Sequence, residues 1–384
     1  MKKTSAVIFT TLFLAIVFGL GILSFAGFVN YRVNDVVINN EWIPELGNKF
    51  ETDIAATFFQ KFSFVSLNGA VRKFLGQQEM NGVVKLNNGY LTETLERCPD
   101  DIIANFVSRT VSFNEYLGKR EIPLLFAVPP YTVSKYDPEL PVGVEDFSND
   151  NLDRLLSGMR KSGIETIDFR EIINADGIEP YSMVYKTDHH WTTEAAFYAY
   201  RFFENYIAGK TGCVIDPRIS DIESYNVTFH EKWQLGSRGQ RVGIYFAGMD
   251  DFVFISPDFE TKIEDSSGKV GNVYDYFFTP EYLENRDISA RYAYDYAMGG
   301  PAFAGHYKNL NSTNDVKVMM ISDSYARAVV PYLLMQFSEV YTILDGYIGD
   351  LRPELIDEYD PDIVIMLYYP KYINKNSGSF DFHF

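Results

Sequence analysis

Val316-Lys317-Val318-Met319-Met320-Ile321 runs directly into Ser322-Asp323-Ser324-Tyr325, and Ala326 to Phe337 follows with mostly apolar residues. A short apolar run with polar punctuation on both sides is the pattern of a strand covered on both faces of a parallel sheet. Ser322 to Tyr325 breaks the run, and the composition from Ala326 to Phe337 predicts a helix. Ser324 therefore falls at a strand-to-helix turn. Open α/β sheets bind ligands at such carboxyl ends, where a helix N-terminus offers free N–H groups and positive dipole. A serine there can attack an electrophile while neighbouring amides hold the oxyanion. The alternative duty for Ser324 or Asp323 is a helix cap. No G-x-S-x-G occurs, so the α/β-hydrolase elbow is not supported.

The same grammar extends outward from this stretch. Upstream, a stripe of Ile102, Ile103, Phe106, Val107 and Phe113 predicts a helix from Asp101 to Lys119, and Leu124 to Val128 is an apolar strand ended by Pro129-Pro130. A helix from Asn151 to Lys161, a strand from Glu165 to Phe169 and a helix from Thr193 to Ala208 follow. Downstream come a strand from Val340 to Leu344, a helix from Pro353 to Tyr359 and a strand from Asp362 to Tyr368. Strands alternating with helices predict a three-layer α/β/α sandwich around a mostly parallel sheet. From Thr211 to Pro301 the sequence turns irregular, aromatic and Gly-containing, with one strand at Phe252 to Ile255. We read it as an insertion at about 211–301 in a catalytic domain of residues 101–384. Residues 31–100 read as a lead-in segment. They carry apolar residues at helical spacing around Ile54, Phe58, Phe59, Phe62 and Phe64, then turns at Asn81-Gly82 and Asn87-Asn88-Gly89.

At the N-terminus, Lys2 and Lys3 precede an apolar run from Ala6 to Phe28, about 23 residues, enough to span a bilayer core as a helix. Positive charge stays cytoplasmic, so the rest of the chain is expected outside the membrane. Residues 1–30 are thus an anchor or, since Ser24-Phe25-Ala26 has a small-x-small pattern, a cleaved signal. The 384 residues carry a net charge of -18, which repels phosphate backbones and argues against nucleic acid as a partner. The 27 Tyr and 31 Phe suit both core filling and stacking on sugar faces. Cys98 and Cys213 are too few for a disulfide scaffold or a zinc ribbon; one bridge or two free thiols both remain open.

Tyr185-Lys186-Thr187-Asp188-His189-His190-Trp191-Thr192 places two of the five histidines beside an aspartate just before a helix. A serine needs a base to take its proton, and the imidazole needs a carboxylate to hold its tautomer. In extended backbone residues i and i+2 share a side, so Asp188 and His190 face together and His189 faces away. The alternative is an Asp cap beside polar surface histidines.

Together, Asp188-His189-His190-Trp191 and Ser322-Asp323-Ser324-Tyr325 resemble the DHHW proteins and their SGNH-like relatives of the alginate O-acetylation type, whose pattern pairs D-x-H-W with a downstream G-D/T-S-Y/F. The resemblance extends to Val128-Pro129-Pro130, Asn81-Gly82-Val83, Gly89-Tyr90-Leu91 and Asp360-Pro361-Asp362-Ile363-Val364, and so covers most of the chain after residue 40. It implies Ser324 as nucleophile, His190 as general base and Asp188 as the residue that orients the histidine. It also implies a motif order permuted relative to ordinary SGNH hydrolases, where the serine comes first. One departure stands out: the glycine before the Asp-Ser pair is Ser322 here, and a position needing positive φ would be strained.

Further oxyanion or substrate candidates are Ser322, Asp323, Tyr325, Arg238 and Trp191. Arg238 lies in a turn from Gly236 to Arg241 that offers amides and a guanidinium, and Trp191 either walls an acyl or sugar subsite or packs beneath the loop. Arg327 follows the nucleophile turn. His230-Glu231 begins like a zinc-protease motif, but position 234 is Gln, so no metal is expected there, and no cofactor is implied.

The resulting expectation is a cell-envelope O-acyl, and by resemblance O-acetyl, transferase. Its acceptor would be a polysaccharide, its donor would come from a membrane-bound acyltransferase partner, and its anchor would be the N-terminal helix. A polysaccharide esterase uses the same chemistry with water as acceptor. Metal-dependent hydrolysis through Asp188, His189 and His190 and a non-catalytic glycan-binding or assembly protein are the other classes.

Overall fold

The computed structural model describes residues 2–39, 57–284, 286, 288–289, 293–294, 305–344 and 351–384. Ile54 and the expected insertion boundary at Pro301 lie outside the described residues. The chain begins with a long helix, α1 (Lys2–Asn39), in which Val7–Tyr31 is apolar and long enough to cross a membrane. Helix α2 (Lys61–Phe74) follows, then a small antiparallel sheet of β1 (Glu79–Met80), β2 (Val83–Lys85) and β3 (Leu91–Thr92).

Next come α3 (Asp100–Gly118), β4 (Leu124–Val128), α4 (Ser148–Lys161), β5 (Glu165–Asp168) and α5 (Thr193–Thr211), the alternation that the hydrophobic spacing predicts. Thr192 caps α5 by accepting from the Ala195 amide at 3.2 Å, and Gly212 ends it in the left-handed region that glycine tolerates. The irregular stretch then builds β6 (Tyr225–Gln234), a short helix α6 (Ser237–Val242), β7 (Asp250–Pro257), β8 (Ile263–Asp265) and β9 (Val270–Gly271). The chain closes with β10 (Gly305–Asn309), β11 (Lys317–Ser322), α7 (Val330–Gln336), β12 (Glu339–Leu344), α8 (Pro353–Tyr359) and β13 (Ile363–Leu367).

The main sheet has the order β5-β4-β13-β11-β12-β10-β8-β9. From β5 to β12 every pairing is parallel, and from β12 to β9 every pairing is antiparallel. Strand β11 lies between β13 and β12, with Ser322 opposite Leu367 on one side and Leu344 on the other. Alternation along β11 divides two cores. Val318 and Met320 pack with Ala196 and Phe203 of α5, while Met319 and Ile321 pack with Phe106 and Phe113 of α3 and Leu156 of α4. This is the α/β/α sandwich expected from the strand-helix alternation. Each such side chain, fully buried, contributes about 1.5–3 kcal/mol of hydrophobic stabilisation.

One expectation needs correcting. Ala326 to Phe337 is not one helix: a 3-10 turn over Ser324–Ala328 precedes α7, which starts only at Val330. Pro331 has no N–H to bond back and would clash with the carbonyl four residues earlier, so the helix cannot run through it. Within the stretch from Thr211 to Pro301, β8 and β9 form an edge of the main sheet. These strands are short and lack sustained alternation, which leaves little signal to read. Cys98 and Cys213 are free thiols.

Candidate active site

The loop from Lys186 to His190 is pinched at its base, where Val184 bridges Trp191, the Tyr185 amide donates to His190 O at 3.1 Å and the Thr192 amide donates to Met183 O at 3.0 Å. Inside the loop the backbone bends instead of running extended, and distant segments meet its polar groups. Asp250, at the start of β7, accepts from the Lys186 amide at 2.6 Å, from the Thr187 amide at 2.8 Å and from the Thr187 hydroxyl. The Gly236 amide donates to Thr187 Oγ1 at 2.8 Å, the Gly239 amide to Thr187 O at 2.8 Å, and the Leu91 amide of β3 to Lys186 O at 2.8 Å.

This scaffold fixes Asp188, which is 1% exposed. Its Oδ1 accepts from the His190 amide at 3.0 Å and lies 2.6 Å from His190 Nδ1, while Oδ2 accepts from the Ser237 amide at 2.6 Å. Glycine is required at 236 by close approach, since a Cβ there would stand 2.3 Å from the Asp188 Cβ. His190 Nε2 lies 2.6 Å from Ser324 Oγ. The Tyr294 ring stacks on the His190 imidazole at 4.1 Å between centroids. The structure thus brings Asp188, His190 and Ser324 into one hydrogen-bonded line, in an order suited to passing a proton from hydroxyl to imidazole.

Ser324 reaches this line from the carboxyl end of β11. Asp323 shapes the turn: Oδ1 accepts from the Tyr325 amide at 2.8 Å and Oδ2 from the Tyr369 amide beyond β13 at 2.8 Å. Ser322 ends the strand, is fully buried and does not have positive φ, so serine in place of glycine brings no backbone strain. No hydrogen bond from the Ser324 amide is seen among the described residues, so this amide is available as a donor at the turn.

The remaining candidates take other duties. The Tyr325 amide is consumed by Asp323, and its hydroxyl donates to His189 O. Trp191 is fully buried and donates to Tyr294 Oη and Tyr325 O, both at 3.1 Å, so it packs beneath the loop and walls no open subsite. Arg238, 1% exposed, donates from Nη1 to Leu91 O at 2.8 Å, Thr132 Oγ1 at 2.7 Å and Asp188 O at 3.1 Å, which makes it a positioning residue behind the loop.

His189 does not face away: its ring lies 3.9 Å from that of His190, and its Nδ1 lies 2.8 Å from Ser237 Oγ. The bend accounts for this, because the i, i+2 rule holds only for extended backbone. Asp188, His189 and His190 have donor atoms within 4.8 Å of one another. Both Asp188 oxygens and His189 Nδ1 are already engaged by Ser237 and His190, so ligating a cation would break the line to Ser324.

Burial raises the Asp188 carboxyl, but the facing histidines and the Ser237 amide outweigh it and hold the group well below the usual carboxylate range. Burial, with His190 alongside, pushes His189 well below its ordinary value and keeps it neutral. Asp250 goes the other way: burial pushes its carboxyl up to about 6 despite its three donors. Motif reading missed Asp250, Ser237 and Tyr294. They come from the irregular stretch, and only Ser237 had a signal, as part of the Gly-rich turn already noted.

Residues 90–218, which hold the Asp-His-His-Trp loop, match the family described as SGNH hydrolase-like domain, acetyltransferase AlgX. The fold of the chain is SGNH-like. Among solved structures, this SGNH-like fold is similar to Bacillus cereus PatB1 with a sulfonyl adduct, at 17% identity and a TM-score of 0.61 over 80% of this chain and 99% of that one. A DHHW family protein from Eubacterium siraeum gives 19% identity and a TM-score of 0.58 over 79% of this chain and 96% of that one. The O-acetyltransferase domain of Pseudomonas putida AlgJ gives 12% identity and a TM-score of 0.50 over 79% and 95%. At these identities the likeness is one of fold. No curated protein sequence matches the chain.

Proposed function

We propose that this protein is an extracytoplasmic, membrane-anchored O-acyltransferase that uses Ser324 to move an acyl group, acetyl by the family likeness, onto a sugar hydroxyl of a cell-envelope polysaccharide. The observation that carries the reading is the pair of 2.6 Å contacts joining Asp188 Oδ1 to His190 Nδ1 and His190 Nε2 to Ser324 Oγ. The acetyltransferase description of the matched family and the O-acetyltransferase domain of AlgJ favour acetyl transfer. The apolar helix α1 favours an anchor.

In the forward step Ser324 Oγ attacks the acyl carbonyl and its proton passes to His190 Nε2. The Ser324 amide faces the developing oxyanion, and Asp188 steadies the imidazolium. Collapse expels the donor's leaving group, which takes the proton from His190 and leaves an acyl-serine ester. A sugar hydroxyl then attacks that ester and gives its proton to His190. The new sugar ester departs as Ser324 recovers the proton. No cofactor enters this cycle.

Incubating the full chain with an activated acetyl ester and oligosaccharides, then weighing both protein and sugars, tests the proposal. Wild type is expected to form an acetyl-protein and an acetylated sugar, and Ser324→Ala neither. Normal transfer by Ser324→Ala would overturn serine dependence, and free acetate with no acetylated sugar would make the protein an esterase.

A further inference from the structure

Helix α2 carries an apolar face that the described residues leave largely exposed, although the Phe58 ring meets Phe64 edge-on. Phe64, Leu67, Val71, Phe74 and Leu75 are 44%, 60%, 50%, 88% and 63% exposed. At 100° per residue these positions fall on one stripe about 100° wide. The opposite face of the helix is the packed one. Ser66 and Gly69 are buried there, and a Cβ at Gly69 would stand 2.3 Å from Val242 O of α6. A helix of a water-soluble domain would carry polar residues where α2 carries this stripe.

Two observations identify what covers it. The first is position: the Phe59 amide, just before α2, donates to Ser24 Oγ of α1 at 3.1 Å, and Gly27 of α1 lies against Thr57. Ser24 and Gly27 sit within the last two turns of the apolar stretch Val7–Tyr31, so α2 starts where α1 leaves the hydrocarbon. The second is charge. Lys61, Arg72 and Lys73 lie on α2 and no acidic residue occurs from Thr57 to Gln78, in a chain of net charge -18. An apolar stripe flanked along one edge by Lys61 and Arg72 suits anionic lipid headgroups over acyl chains.

We infer that α2 lies in the outer membrane-water interface, its apolar stripe in the lipid and its packed face carrying the active-site scaffold. The inference rests on the proposed anchoring by α1. It adds that the domain is seated on the bilayer and not tethered at a distance. Beyond α2, an open cleft of about 880 Å³ is bordered by Lys61, Ser63, Asn81, Arg241 and Ser237. Ser237 holds both Asp188 and His189, so seating α2 sets the site one helix above the lipid, within reach of a donor embedded in it.

The test places a nitroxide label at Leu67→Cys, Val71→Cys or Phe74→Cys in the full chain, in a Cys213→Ser background with the buried Cys98 left in place. The protein is reconstituted in vesicles of phosphatidylglycerol and phosphatidylethanolamine. Labels at Val17→Cys in α1 and Val270→Cys on the far edge strand serve as references. Relaxation by oxygen, which partitions into lipid, is expected to exceed relaxation by a water-soluble nickel chelate at 67, 71, 74 and 17, with the reverse at 270. Lipid exposure at 17 with aqueous exposure at 67, 71 and 74 overturns the inference alone. Aqueous exposure at 17 as well overturns the anchor along with it. Shielding of 67, 71 and 74 from both reagents means that a protein surface covers the stripe, and also overturns the inference.

Discussion

Asp188→Asn is the sharpest perturbation the site allows, because the substitution keeps shape and changes only which atoms accept. The carboxylate takes three N–H donors: the His190 amide and Nδ1 on Oδ1 and the Ser237 amide on Oδ2. An amide has one acceptor oxygen, so its NH2 must face an N–H whichever way it turns. Turned toward Ser237, it strands that amide and leaves a neutral oxygen facing His190. The charge-assisted contact to the imidazolium, about 1.5–3 kcal/mol, drops to an ordinary bond of about 1 kcal/mol and costs up to about one and a half decades in rate. Turned toward His190, it strands the His190 amide and makes Nδ1 the acceptor. The proton then sits on Nε2, facing Ser324, and the base is blocked; such a tautomer reversal costs about 10⁴-fold in the serine protease triad.

The expected loss in kcat is therefore about 10- to 10⁴-fold, with about 1–3 kcal/mol of stability lost for the stranded buried amide. The pH signature has a definite sign. Asp188 has a depressed folded-state pKa, so its stabilisation is present above the unfolded value and is lost as pH falls through the folded one. The variant should lack that acid-side loss. Acetyl-ester turnover together with thermal melts across pH checks all of this. A kcat loss below tenfold with normal acyl-serine formation would refute the reasoning, since His190 would then not need Asp188.

Gly236→Ala drives a methyl into Asp188, 2.3 Å from its Cβ, and should cut turnover by at least tenfold with a lower melting temperature; an unchanged pH-rate profile and melting point would count against the tight approach. Asp250 has a raised folded-state pKa near 6, so the folded chain holds more protons than the unfolded one between about pH 4 and 6 and its stability falls as pH rises through that window. Two units correspond to about 3 kcal/mol, and Asp250→Asn should remove that slope in denaturant titrations at pH 4 and 7. His189→Gln keeps a polar partner for Ser237 and leaves the line from Asp188 to Ser324 intact, so it should retain turnover within about tenfold, whereas His190→Gln should lose at least a thousandfold. Equal losses in the two would mean that the histidines work as a pair.

The parallel part of the sheet was readable because its strands are unbroken apolar runs, as in β4, β11 and β13, and such runs admit few other environments. The interrupted helix after Ser324 was readable in principle, since Pro331 marks the break, but apolar composition outweighed the proline. Strands β8 and β9 were not, because three and two residues carry no period. At the site, Asp188, His190 and Ser324 stood out through their chemistry and neighbours. Asp250 did not, because its duty is to accept two backbone amides more than sixty residues upstream, and no local pattern records that. Tyr294 is similar, one aromatic among many until its ring is seen on His190. The side-chain placement of His189 depended on a bend imposed by partners from three other segments, which local backbone rules do not see.

Ser324 and His190 meet across 134 residues of chain. Apart from its base, a serine hydroxyl is a weak nucleophile, so the reactivity proposed for Ser324 would belong to the closed sheet and to no fragment of it. Contacts this distant form late, after the loop entropy of the intervening chain has been met. Under the proposed function, a newly made or partly unfolded copy is then chemically silent toward the esters around it and becomes reactive only on completing its fold.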